Sequence, residues 1–426
     1  MKLNTRRTFF IGLAFLSISA FWQLYDNIIP LILQNTFFIG ETLAGTIMAL
    51  DNALALFLLP FFGALSDRTN TRLGKRSPFI VIGTLIAVIF MLLIPYADST
   101  KNFPLFFIAL GVVLLSMSLY RSPAVALMPD LTPKPLRSRA NSIINLMGAV
   151  GAIFSLLMMS ILIPKENNPS YFYIFLTIGI LMVSAVVVLL LTINEKKLSN
   201  QMKSFNDKQD EDEKLAKDSD DDKMSPDVKR SLYFILASIF LWFTAYNAVT
   251  TAFSRYATKV WHLQGGGFAN ALLVATGAAI FSYIPIGFIS SRIGRKKTII
   301  IGISLMSLSY FFAFLFLHYS PLINVVFAFT GIGWAAISVN SYPMVVEMSN
   351  SSDIGKYTGL YYTFSMSAQI FTPILSGFLL ENVSYRTLFP YSMLFSLASL
   401  GTMLLVKHGD SKPAIKNKLD NFDLDD

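Results

Sequence analysis

No cysteine occurs anywhere in the 426 residues, so a disulfide framework, a thiolate nucleophile and a cysteine metal site are all excluded. With three histidines in all, a dedicated metal centre has little to build from, no His or Cys constellation is present, and no cofactor or enzymatic activity is expected. Charge is scarce as well. Asp, Glu, Lys and Arg together make up 14% of the chain, well under the quarter usual in soluble domains, while apolar residues reach 54%. This is the composition of a multi-pass membrane protein, with the lipid bilayer as its first partner.

The apolar residues gather into twelve runs, each long enough at 1.5 Å per residue to cross a hydrocarbon core of about 30 Å. The first ends at Leu33. It is longer than the apolar region of a signal peptide and contains Trp22, Gln23, Tyr25, Asp26 and Asn27, so it reads as a retained helix and not a signal peptide. The others are expected near 44–66, 78–97, 104–128, 138–163, 170–193, 230–255, 268–290, 297–318, 321–347, 356–380 and 386–407. Of the 34 Lys and Arg, 28 fall in the termini and alternate loops on one side. That bias puts both termini in the cytoplasm of a cell membrane and accounts for the net charge of +8 without nucleic acid.

Gly63 to Pro78, GALSDRTNTRLGKRSP, is a charged island between the second and third runs. A reduced copy, GFISSRIGRKK, recurs 224 residues later from Gly287. Phe21 to Asn27 (FWQLYDN) is echoed by Leu241 to Asn247 (LWFTAYN), and Ser122-Pro123 before Met128 by Tyr342-Pro343 before Met348. The common order implies a duplicated chain: an all-α membrane protein of twelve helices in two six-helix bundles, residues 1–194 and 230–407. Segment 195–229 is charged and poor in apolar residues, which reads as a mobile cytoplasmic tether. Residues 408–426 form a cytoplasmic tail.

The island pattern G-x-L-[AS]-D-R…G-[RK]-[RK] resembles the loop signature of the major facilitator superfamily. Its longer form, with TNTR before Leu73-Gly74, and the stretch RSPAVALMPDLTP from Arg121 are similar to the sucrose-transporter and melibiose-carrier branches. The resemblance implies the two-bundle fold and transport by alternating access. It also implies that Asp67 caps the eleventh helix near Gly355 across the bundle interface. In the melibiose-carrier pattern the acids of the cation site stand where this chain has Ala55, Leu59 and Arg121, so the expected coupling ion is the proton and not sodium.

Charged groups inside a span cost about 2.5–3.5 kcal/mol each on the insertion scale and call for an explanation. Asp26, Asp51 and Arg121 are the clear cases. They read either as a fixed ion pair that locks helices or as proton-coupling groups, with Arg121 competing for the acid that titrates. Polar residues at helical spacing in several spans suit a carbohydrate, rings against its apolar faces and amides to its hydroxyls. The candidates are Trp22, Gln23, Asn27, Asn145, Trp242, Tyr246, Asn247, Trp334, Tyr361 and Gln369, although such residues also serve as interhelical glue. A cytoplasmic gate is expected from Asp67, Arg68, Arg72, Lys75, Arg76, Asp130 and Arg139, with Arg292 and Glu347 as a weaker counterpart. The leading expectation is a monomeric, proton-coupled symporter of a sugar or glycoside. Its alternatives are a facilitator or exporter of another small solute, or a sensor signalling through the acidic central segment.

Overall fold

The computed structural model describes residues 4–132, 137–166, 169–199, 201, 226–346, 348 and 354–409, with side chains throughout except at 137–139, 142, 354–356 and 358. Among the described residues, twelve long helices carry the chain. In the first half they are α1 (Thr5–Asn35), α2 (Glu41–Arg68), α3 (Ser77–Ser99), α4 (Phe103–Asp130), α5 (Arg137–Leu162) and α6 (Phe172–Thr192). In the second half they are α7 (Pro226–Lys259), α8 (Ala269–Ile293), α9 (Arg295–Leu315), α10 (Ile323–Val346), α11 (Ile354–Asn382) and α12 (Leu388–Leu405). Most of their ends fall within a few residues of those expected from hydropathy. Pro30, Pro60, Pro123, Pro285, Pro343 and Pro373 all lie inside helices, which a spanning helix tolerates because neighbouring groups take up the freed carbonyls.

The packing repeats between the halves. In the first, α1 packs on α5 and α6, α4 on α2 and α3, and α3 on α6. In the second, α7 packs on α11 and α12, α10 on α8 and α9, and α9 on α12. The halves then meet through two matching pairs, α2 with α11 and α5 with α8. Contact between α2 and α11 is backbone to backbone. A Cβ at Gly45 would lie 2.0 Å from the Pro373 carbonyl oxygen, and one at Gly377 would lie 2.4 Å from that of Glu41. Only glycine allows so close an approach.

The α2–α3 loop is knotted by charge. Lys75 Nζ lies 3.0 Å from Asp130 and 3.8 Å from Asp67, and Arg76 donates to Asp130 at 2.9 Å and also to Asp67 and Ser66. Beneath it Glu195, only 1% exposed, accepts the backbone N–H groups of Lys75 and Arg76 (2.8 Å each) and of Ser77 (2.7 Å). A carboxylate here satisfies the orphan donors at the start of α3 and complements its dipole. Gly74 sits at φ +121°, and a Cβ on it would strike the Glu195 carboxylate at 2.4 Å. The expectation of a mobile tether from 195 onward is therefore corrected at its start: residues 195–199 are helical and anchored through Glu195, and the segment ends where α7 begins at Pro226. Residues 200 and 202–225 and the tail from 410 lie outside the described residues. Glu195→Ala leaves three buried N–H groups unpaired at roughly 1–3 kcal/mol each. The variant is expected to unfold several degrees below the parent in a thermal melt in detergent.

Candidate functional site

Arg121 is aimed by its chain neighbours. Tyr120 on one side donates to the Ala14 carbonyl of α1 at 3.0 Å and meets Ser17. Ser122 on the other donates to the Leu59 carbonyl of α2 at 2.7 Å. Successive helical residues are about 100° apart, so the residue between two such anchors faces the gap between α1 and α2. There its guanidinium lies 5.7 Å from the Trp22 ring centre. It is within electrostatic reach of Asp51, Asp26 and, from the other half, Tyr362. A group surrounded by α1, α2, α4 and α11 is interior to the assembly. Yet Asp26, Asp51 and Arg121 are each only half-buried, so they are not sealed into the packed core.

The three groups are gathered but not paired. Among the described residues neither carboxylate forms an ion pair with Arg121, and the fixed Asp26–Arg121 lock is not what this conformation holds. Asp51 accepts from the Asn52 amide at 2.9 Å. Trp22 itself stands against Phe21 and Tyr25, and its indole N–H has no partner. Gln23 is half-buried beside it. Asn27 departs from its expected place: it is fully buried and donates to the Gln23 carbonyl, one turn back in its own helix.

The second half contributes an aromatic cluster. Tyr246 and Trp334 stack with ring centres 3.8 Å apart and planes 7° from parallel, with Phe243 edge-on to Trp334 at 5.3 Å. Tyr342, Tyr361 and Tyr362 form a second group, in which Tyr361 meets Ser341 at 3.2 Å. Asn247 is half-buried with its amide N–H unpartnered, and Gln369 reaches only the Ser365 carbonyl at 3.4 Å. Asn145 is exposed. Trp242 is wholly buried, so the three tryptophans Trp22, Trp242 and Trp334 do not form one cluster. A flat, fully apolar position in the core is the same to a hydropathy pattern as one on a cavity wall.

The gate differs from expectation in two respects. Lys75, Arg76, Asp67 and Asp130 do come together, but all four belong to the first half, so their knot braces one bundle and does not bridge two. Arg68 and Arg72 are exposed and contribute nothing to it. Arg292 is exposed too. Glu347, the side chain of Arg139 and the residues just before α11 lie outside the described residues, and with them the expected Arg292–Glu347 pair and the helix cap by Asp67.

The contacts that do join the halves cluster at the opposite end of the molecule. Glu41, 3% exposed, receives Arg255 Nη1 at 2.6 Å and the Tyr385 hydroxyl, and Gln34 lies 3.5 Å from the same hydroxyl. Thr42 N–H donates to Glu381 at 2.7 Å, and Ser160 meets Asn270 at 2.7 Å. Sequence reasoning passed over this gate. Its one signal was a charge at each of two expected span ends, Glu41 just before 44 and Arg255 at the end of the seventh run, which a hydropathy window treats as loop.

A doubled twelve-helix bundle with costly, half-buried charges inside it is the architecture of a membrane transporter. The Major Facilitator Superfamily model matches residues 11–284 and 267–423, and the chain belongs to that family. Over 171 residues the chain is 27% identical to an uncharacterized symporter of Synechocystis sp., covering 37% of this chain and 31% of that protein. Over 151 residues it is 26% identical to a sucrose transport protein of Arabidopsis thaliana, covering 31% of this chain and 25% of that one. The chain thus matches about a third or less of the length of these relatives. The structure is similar to that of a D-xylose–proton symporter, with TM-score 0.70 at 16% identity over 95% of this chain and 98% of that one. At that identity the likeness concerns the fold. The chain is a multi-pass transporter and not an enzyme.

Proposed function

We propose that this transporter is a proton-coupled symporter of a sugar or glycoside in the cell membrane, with the face that carries the α2–α3 loop in the cytoplasm. The observation that carries the reading is the set of unpaired, half-buried charges Asp26, Asp51 and Arg121 deep in apolar helices. Such groups are expensive there and persist where they do work on an ion or a cargo. A carboxylate that is neither neutralised nor sealed off can take a proton from a hollow between the halves and release it when the hollow opens to the other side. With the halves tied at the Glu41–Arg255 end, the conformation described is one closed on the outer face. The carbohydrate assignment draws on the likeness to a sucrose transport protein, on the stacked Tyr246–Trp334 pair, and on the unpartnered donors of Trp22 and of Asn247, the chain neighbour of Tyr246. Flat rings suit the apolar faces of a sugar, and free donors suit its hydroxyls.

A thermal-shift panel of sugars, glycosides and polyols at two pH values tests the substrate class. Failure of every carbohydrate to raise Tm removes the sugar assignment. Within the aromatic cluster, Trp334→Ala is expected to raise KM for uptake about tenfold, the loss of an aromatic contact and its buried area, with kcat little changed. Trp242→Phe, in the core, is expected to leave KM alone. Equal effects of the two would place the substrate elsewhere.

A further inference from the structure

A cavity of about 610 Å³ opens where α1 begins and α6 ends. Its walls carry Arg6, Arg7 and Lys197 and, among the described residues, no acidic one, over a floor that includes Phe10, Ile193 and Leu198. We propose that this pocket binds the phosphate-bearing headgroup of an anionic phospholipid.

The geometry is set by two helix starts. Asn4 accepts the Arg7 N–H at 3.0 Å as the cap of α1, and Asn194 accepts the Lys197 N–H at 3.0 Å in the turn after α6. These caps fix the backbone that presents the two cations from opposite sides, and Arg6 rests over the Phe10 ring at 5.9 Å. Among the described residues none of the three cations is paired with a carboxylate. The nearest acid in sequence, Glu195, is turned away and fully engaged by the start of α3. Among the described residues these three positive charges have no counter-ion.

The level of the pocket favours a lipid over a free anion. α1 and α6 are spanning helices, so the point where one begins and the other ends lies at the height of the headgroups. Phe9, next to the pocket, is exposed on the apolar surface. A free phosphate has no use for an apolar floor, whereas the glycerol and first methylenes of a lipid do. Basic residues at this height are attracted to an anionic leaflet, an effect that salt screens. The site is independent of which solute the hollow carries.

Native mass spectrometry of the full-length protein in neutral detergent, titrated with phosphatidylglycerol or phosphatidylcholine, tests the proposal. Wild type is expected to retain phosphatidylglycerol preferentially. The Arg6→Gln/Arg7→Gln/Lys197→Gln variant is expected to bind it about tenfold more weakly, a change of about 1.4 kcal/mol, with phosphatidylcholine binding unchanged. Should the triple variant melt early in phosphatidylcholine, Lys197→Gln alone is expected to give a smaller, salt-sensitive loss. Equal phosphatidylglycerol affinity in wild type and variants overturns the proposal. So does displacement of the lipid by glycerol 3-phosphate at the lipid's own concentration, the mark of a free-anion site. So does phosphatidylglycerol binding that emerges only after Asp218, Asp220, Asp221 and Asp222 are changed to Asn, the mark of a pocket filled by the chain's own acidic segment.

Discussion

Asp26→Asn protein in proteoliposomes is expected to lose uphill uptake while keeping exchange of internal for external solute. With one proton per solute, a gradient of one pH unit supplies about 1.4 kcal/mol and so about tenfold accumulation. The amide keeps the size and polarity of the carboxyl group but binds no proton, so the final ratio is expected to fall to about one. Exchange survives because it returns through the loaded state and needs no net proton release. A structural role gives a different pattern: Arg121 would be left with less negative charge around it, and exchange would fall together with accumulation. Asp51→Asn completes the test, since the two acids face the same guanidinium. Full accumulation in the Asp26→Asn protein removes that residue from the coupling step and moves the proposal to Asp51.

At the far face, Glu41→Gln is expected to bias the molecule strongly toward the opposite conformation. Glu41 and Arg255 are both almost wholly buried, and removing one partner of such a pair costs about 3–5 kcal/mol because the remaining charge stays desolvated. When the halves part at this face, both side chains meet water and the penalty vanishes. The closed state alone is therefore destabilised, and its population relative to the open one should drop by roughly a hundredfold to a few thousandfold. The absence of native cysteine makes this simple to read. A cysteine placed at Asn52 in the hollow is the sole thiol, and a membrane-impermeant maleimide added on the Glu41 side should label it far faster in the Glu41→Gln background. The double variant Glu41→Gln/Arg255→Gln should label more slowly than Glu41→Gln, since no lone charge remains to be buried. Unchanged labelling in both would mean that the backbone contact at Gly45 and Gly377, and not the ion pair, holds this face shut.

Twelve helices and their doubling were legible because a bilayer leaves a chain few options. Each span must satisfy its own backbone and show apolar side chains for some 20 residues, and both demands are local. The costly charges were legible for the same reason: Asp26, Asp51 and Arg121 stand out against any apolar run. Their lack of pairing was not, because pairing depends on distances between three helices, set here by how Tyr120 and Ser122 clip α4 to α1 and α2. The fate of the tryptophans was equally closed to inspection, since Trp242 and Trp334 occupy similar apolar settings and only packing separates core from cavity wall.

By itself the sequence determined the spans, their number, the repeat, the exclusion of thiol chemistry, and the residues too charged to be idle. The tertiary structure alone decided which face the halves close on. It showed that the basic loop knots within one half around Asp67, Asp130 and Glu195, while Glu41 and Arg255, 214 residues apart, meet across the interface. Solvation energy is paid residue by residue and can be read along a chain, whereas a contact between halves exists only in a particular tilt of one against the other.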